Sequence, residues 1–173
     1  IFCEYRDKRS YPLLLPLLDQ PCPVERMSAV YALGRNPCPS AVQKLVSLLK
    51  TDDNAYVRRA TAWSLANYDN QIVLEPLINA LKNDVAAVRL WSSSSLAEIG
   101  NVSLKNAQLA AEQLLISLKI DNESGVRSNC IWSLCRLYEK LNNTFQESFV
   151  DECTKIALFD KEPSVMELSL IHI

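Results

Sequence analysis

The residues best equipped for chemistry in this chain are six cysteines, at positions 3, 22, 38, 130, 135 and 153, and one histidine, His172. No two cysteines form a CxxC pair, so the spacing supports neither a zinc ribbon nor a thioredoxin-like centre. Cys130 and Cys135, five apart on a predicted helix, point about 140° away from each other. A single histidine leaves a Ser-His-Asp triad or a histidine-rich metal site almost nothing to build on. Neither GxGxxG nor GxxxxGK[ST] occurs, and there are only 3 glycines, so phosphate-cradling loops are excluded too. The cysteines read as reduced thiols of a cytoplasmic protein, several of them buried as small apolar residues. No residue is assigned a catalytic role, and no metal or cofactor is expected.

A second class of candidate is ionic. Arginine recurs at Arg26, Arg58, Arg89 and Arg127, in steps of 32, 31 and 38 residues, and leucine keeps step at Leu33, Leu65, Leu96 and Leu134. A fifth copy begins at Val165, with Met166 in the arginine slot. An apolar stretch ending in an acid precedes each copy, so Asp52/Asp53 stand near Arg58, Asp84 near Arg89 and Asp121 near Arg127. Ligand sites seldom need the same residues in every repeat, so these pairs read as a structural ladder between or within units.

The elements that position such residues follow from periodicity. In VRRATAWSL, Val57, Thr61, Ser64 and Leu65 fall at i, i+4, i+7 and i+8, one stripe of an α-helix. Two slots of that stripe hold only small residues: Ala29, Thr61, Ser92 and Cys130 in one, Ala32, Ser64, Ser95 and Ser133 in the other. Small residues there let neighbouring helices approach closely. Ser40–Gln43 and Ser164–Glu167 have capping-box spacing, and Pro21, Pro23, Pro37, Pro39 and Pro163 fall between helices or at their starts. An extended helix around residues 101–119 absorbs the longest step. The formal net charge of −2 supplies no footprint for nucleic acid, and no apolar run reaches the roughly 20 residues of a membrane span.

The whole chain, residues 1–173, reads as one continuous array of about five helix-turn-helix units. Both ends read as cut. IFCEYRDKRS resembles the tail of a helix whose beginning is missing, and the closing LSLIHI (168–173) resembles translated sequencing-adapter sequence, so His172 is given no function.

The strings VRRATAWSLANYDNQIVLEPLINALKND (57–84) and VRLWSSSSLAEIGN (88–101) resemble HEAT repeats of the short variety named after phycobilin lyases. The resemblance covers roughly residues 11–140, with a weaker copy to 170. It implies an all-α fold, a right-handed α-solenoid of stacked HEAT-like units. Glu25, Ala66, Ser94 and Met166 depart from the family pattern without threatening that fold. Deoxyhypusine hydroxylases resemble such solenoids but bind iron through His-Glu pairs, and no His-Glu dipeptide exists here.

In stacked HEAT units the second helices line a concave face. Tyr31, Trp63, Ser94 and Trp132 share one slot of those helices, roughly 240° from the opening valine and so away from the buried stripe. They form an aromatic row with a gap at Ser94, serving either inter-repeat packing or recognition. Arg59 and Arg136 lie beside the row, outside the ladder. These six residues are the candidate binding surface. The resemblance implies a cytoplasmic scaffold for a protein partner, such as a phycobiliprotein subunit. The alternative is a phycobilin lyase-like subunit that handles a linear tetrapyrrole at another protein's cysteine. Aromatic walls would suit its rings and guanidinium groups its propionates.

Overall fold

The computed structural model describes residues 7–171. Cys3, His172 and the outermost residues of both cut-end readings lie outside them. Among the described residues the elements are all helical, ten α-helices with short 3-10 turns between several of them. They are α1 (Tyr11–Leu14), α2 (Pro23–Arg35), α3 (Val42–Thr51), α4 (Ala55–Leu65), α5 (Leu74–Asn83), α6 (Ala86–Gly100), α7 (Leu104–Ile120), α8 (Ser124–Leu137), α9 (Asn143–Phe159) and α10 (Pro163–Ile171). The even-numbered helices from α2 onward carry the repeated arginine slot. Backbone contacts gather into two compact units, Ile1–Ser95 and Leu96–Ile173.

Helix starts follow local chemistry, though not always as the spacing predicts. Asn54 accepts from the Tyr56 and Val57 amides at the head of α4, Ser103 from the Asn106 amide at α7, and Asn142 from the Phe145 amide at α9. Neither expected capping box forms. Ser40 sits inside the 3-10 turn Pro39–Ala41 with its hydroxyl against the Cys38 thiol, and α3 begins beyond it without a side-chain cap. Ser164 already lies inside α10. The cause is the same in both places. A proline directly before the serine has its φ preset for the first helical position, so it opens the turn one residue early. The long step is absorbed as expected: α7 has 17 residues where α3 and α5 have 10.

The predicted stripe is the core. Val57, Thr61, Ser64 and Leu65 are all fully buried, as are the small residues of both slots. In the first unit α2 packs on α4 so closely that a Cβ added at Gly34 would lie 2.6 Å from Cζ3 of Trp63. In the second, a Cβ at Gly100 would lie 2.8 Å from Cδ2 of Leu137. The Ser95 hydroxyl donates to the Ala62 carbonyl at 2.7 Å, but the buried hydroxyls of Ser64 and Ser92 have no partner among the described residues. These slots select for size rather than for hydrogen bonding. Burying an unpaired hydroxyl costs about 1–3 kcal/mol, which close helix contact must offset.

The ladder is real and has a defined direction. Arg26 donates from Nε and Nη2 to both Asp52 oxygens, at 2.8 and 2.9 Å, while its Nη1 reaches the Gln20 and Pro21 carbonyls. Arg58 treats Asp84 and the Asp52 carbonyl in the same way, and Arg127 treats Asp160 and the Asp121 carbonyl likewise. Each of these arginines therefore grips its own loop by the backbone and the next loop by the carboxylate. Burial pushes the Asp52 and Asp160 carboxyls up, and the arginine and backbone hydrogen bonds more than offset it, leaving both below the ordinary value. Tyr68 adds a neutral cross-link in the first unit: its hydroxyl donates to the Leu33 carbonyl and accepts from the Cys38 amide. Burial pushes that phenol up to about 12.

Candidate functional site

Three of the six candidate residues come together in the first unit. Trp63 on α4 lies with its ring 5.4 Å from that of Tyr31 on α2, tilted by 55°. Arg59, one turn before Trp63, donates from Nη2 to the Tyr31 hydroxyl oxygen at 3.3 Å. All three side chains are half-buried. Trp63 thus does both things its slot allows: part of its ring fills the space over Gly34 between α2 and α4, and part faces outward. The Tyr56 ring also lies near the guanidinium, with its centroid 5.6 Å from Arg59 Cζ, within cation–π range. Tyr56 is 65% exposed.

Ser94, on α6, is half-buried, as is the neighbouring aromatic Trp91. Ser94 has polar or electrostatic company of its own, so the slot is not simply vacant.

The other two candidates pair in the second unit. Trp132 on α8 is 40% exposed, and Arg136, one turn later, holds its Cζ 4.8 Å from the centre of that ring. Arg136 is also engaged by Glu98 at the end of α6, Nη2 to Oε1 2.7 Å. A guanidinium expected to await a ligand is therefore already neutralised. It borders a cleft of about 450 Å³ whose walls include Cys135, Tyr138, Lys140 and Phe149.

Nothing in either cluster is an activated nucleophile. Burial pushes the Cys135 thiol up to about 11 and the Cys153 thiol up to about 12, so both stay protonated near neutrality. Cys38, Cys130 and Cys153 are buried, and no described cysteine is in a disulfide. Among the described residues no group of three metal-ligating side chains gathers, and no helix is long and apolar enough to cross a membrane. What the two clusters present to solvent is aromatic ring and guanidinium charge.

Sequence reasoning missed Tyr56 and Glu98. Tyr56 was within reach of pattern reading, since it lies three residues before Arg59 and residues so spaced share a helix face. Glu98 was not, because it meets Arg136 only through tertiary packing.

Helical hairpins stacked through small-residue stripes, tied loop to loop by an Asp–Arg ladder, define an α-solenoid protein. The HEAT-repeat family model matches residues 1–66 and 42–135, so the chain belongs to the HEAT-repeat family. No curated protein matches the sequence. Among solved structures, a chain of the complex of CpcE and CpcF of phycocyanin lyase from Nostoc sp. PCC7120 is similar in fold, with a TM-score of 0.75 and 21% identity. That match covers 96% of this chain and 99% of the other.

Proposed function

We propose that this HEAT-repeat protein is a cytoplasmic binding scaffold that engages a protein partner through the concave face lined by its second helices, with their half-exposed aromatic and arginine residues as the contact points. The observation that carries this reading is the Tyr31–Arg59–Trp63 cluster with Tyr56 beside it. Half-exposed Tyr, Trp and Arg on packed helices are the residue types that dominate protein recognition, held in place at little entropic cost. The fold is shared with a chain from a two-protein complex of a phycocyanin lyase, which supports a phycobiliprotein subunit or a second HEAT-like subunit as the partner. The buried, protonated thiols suit a reducing compartment.

A second reading has its own support. The same structural likeness is to a phycocyanin lyase, and a tetrapyrrole would find aromatic walls and a guanidinium at the Tyr31–Trp63 cluster. In that reading the protein orients and shields a bilin beside an acceptor cysteine of the phycobiliprotein, and rate enhancement comes from positioning.

One experiment tests both. The protein is co-expressed with a phycocyanin subunit and a bilin, then purified and scored for co-elution and for visible absorbance. Stable co-elution without pigment on this chain supports the scaffold. A covalent adduct on the phycocyanin subunit that requires this chain supports the lyase-like reading. Neither co-elution nor adduct removes the phycobiliprotein from both.

A further inference from the structure

We propose that Arg59 and Tyr31 form a seat for one carboxylate, supplied by a Glu or Asp side chain on an acidic segment of the protein partner. The inference rests on the scaffold reading and names the chemistry of the same site.

The first observation is an unbalanced charge. Arg26, Arg58, Arg127 and Arg136 each hold a carboxylate oxygen at 2.7–2.8 Å. Arg59 is half-buried as the ladder arginines are, yet among the described residues no carboxylate reaches it. Its Nε is buried with no hydrogen-bond partner, and its one bond, to the Tyr31 oxygen at 3.3 Å, is long for a charged donor. The buried Nε leaves a desolvation cost unreturned, while the outer N–H groups of this half-exposed guanidinium are left to solvent and so are open to an incoming anion.

The second observation is the hydroxyl beside it. The Tyr31 oxygen accepts from Arg59, which leaves the Tyr31 proton to donate, and no acceptor for it lies among the described residues. An outer guanidinium N–H and a phenolic O–H side by side suit the two oxygens of a carboxylate. The third is the wall. Trp63 and the exposed Tyr56 ring offer apolar faces to the methylenes that carry such a carboxylate, and their bulk lowers the local dielectric in which the pair forms.

A protein acid is favoured over a pigment because the seat provides one free guanidinium. A linear tetrapyrrole brings two propionates, and the other arginine of the candidate set, Arg136, is already held by Glu98.

The test is calorimetric titration of the full chain with an acetylated Leu/Glu peptide, with its twin carrying Gln at every Glu, and with biliverdin. The expected result is saturable binding of the acidic peptide and about tenfold weaker binding of the twin. Arg59→Gln should bring the acidic peptide down to the twin's level. Tyr31→Phe, which keeps the ring, should weaken it about threefold, and Lys82→Gln, which removes an exposed charge from α5, a helix that carries none of the cluster's residues, should leave it unchanged. Circular dichroism checks that each variant folds. Equal binding of the two peptides, or of the acidic peptide to Arg59→Gln and wild type, overturns the carboxylate seat and leaves the scaffold reading standing. Biliverdin binding that depends on Arg59, without acidic-peptide binding, overturns the choice of occupant. Binding of none of the three probes overturns the seat outright, while co-elution with a phycocyanin subunit separately judges the scaffold.

Discussion

Trp63 and Trp132 occupy the same slot of their repeats, each with an arginine one turn away, yet the two clusters treat that arginine in opposite ways. In the first unit Arg59 precedes the tryptophan, touches a tyrosine hydroxyl and has no described carboxylate. In the second Arg136 follows the tryptophan, stacks over its ring and is neutralised by Glu98. The tryptophans differ too, since Trp63 leans into the α2–α4 contact over Gly34 while Trp132 is 40% exposed. A shared repeat slot therefore fixes where a side chain stands and leaves its chemistry to what stands nearby, the slot's own occupant Tyr31 in the first unit and the non-repeated Glu98 in the second. The first cluster leaves its guanidinium without a described carboxylate, and the second pairs its own internally.

That comparison depends on the repeat register, which the largest expected effects test. Leu65 in the first unit and Leu96 in the second are both fully buried. Leu65→Ala and Leu96→Ala should each cost about 2–5 kcal/mol in urea unfolding, as buried leucines do when truncated. Near-native stability of either variant would break the register and with it the pairing of Trp63 with Trp132.

Next in size is the difference between the tryptophans. Trp63→Ala should destabilise by about 2–3 kcal/mol, because it empties the space over Gly34 and takes the tilted ring contact from Tyr31. Trp132→Ala should cost less, about 1–2 kcal/mol, since 40% of it already meets water. Equal losses, measured as urea midpoints under one set of conditions, would show the two slots to be equivalent after all.

The ladder should behave alike in the two units, in contrast to the clusters. Asp52 and Asp160 have carboxyls held below the ordinary value by Arg26 and Arg127. A carboxyl lowered in the folded state adds stability that is fully present above the unfolded value, about pH 4, and lost as pH falls through the folded one. The urea midpoint should therefore hold steady from pH 7 to about 5 and fall below about 4. Asp52→Asn and Asp160→Asn should each start lower at pH 7 and show a shallower acid fall. A full-sized fall in both variants would place the acid sensitivity elsewhere.

Much of this was legible in the sequence because repetition turns one weak signal into several aligned ones. Small residues in two slots, an arginine and a leucine in step are enough to give the helices, the buried stripe and the ladder. The ladder's direction was harder, since Asp52 is six residues from Arg58 in sequence but gives its carboxylate to Arg26 of the preceding repeat. The capping boxes failed because Pro39 and Pro163 set the helix start locally, before the serine cap can act. In the candidate surface the aromatic slot was readable, and the Arg136–Glu98 pair was not. It joins residues 38 apart, and only packing decides whether a surface arginine meets an acid.

The smallest expected effect is the sharpest test of the comparison, because it asks whether one acid accounts for the difference between the clusters. Glu98 and Arg136 have side chains 43% and 41% exposed, so solvent screens their pairing. Glu98→Gln should change stability by no more than about 0.5 kcal/mol, the scale of an exposed ion pair. Its consequence for recognition should be larger than its consequence for folding. With Glu98 neutral, Arg136 stays stacked on Trp132 as a guanidinium without a carboxylate, which is the condition of Arg59 beside Tyr31. The acidic Leu/Glu peptide should then gain a second, weaker binding event in calorimetry, and Arg136→Gln in the same background should remove it. Lys140 also borders the neighbouring cleft, so any residual gain that survives Arg136→Gln is assigned to it by Lys140→Gln. An unchanged isotherm for Glu98→Gln would show that neutralisation by Glu98 is not what separates the clusters. The distinguishing element would then be the Tyr31 hydroxyl, whose oxygen accepts from Arg59 in the first unit.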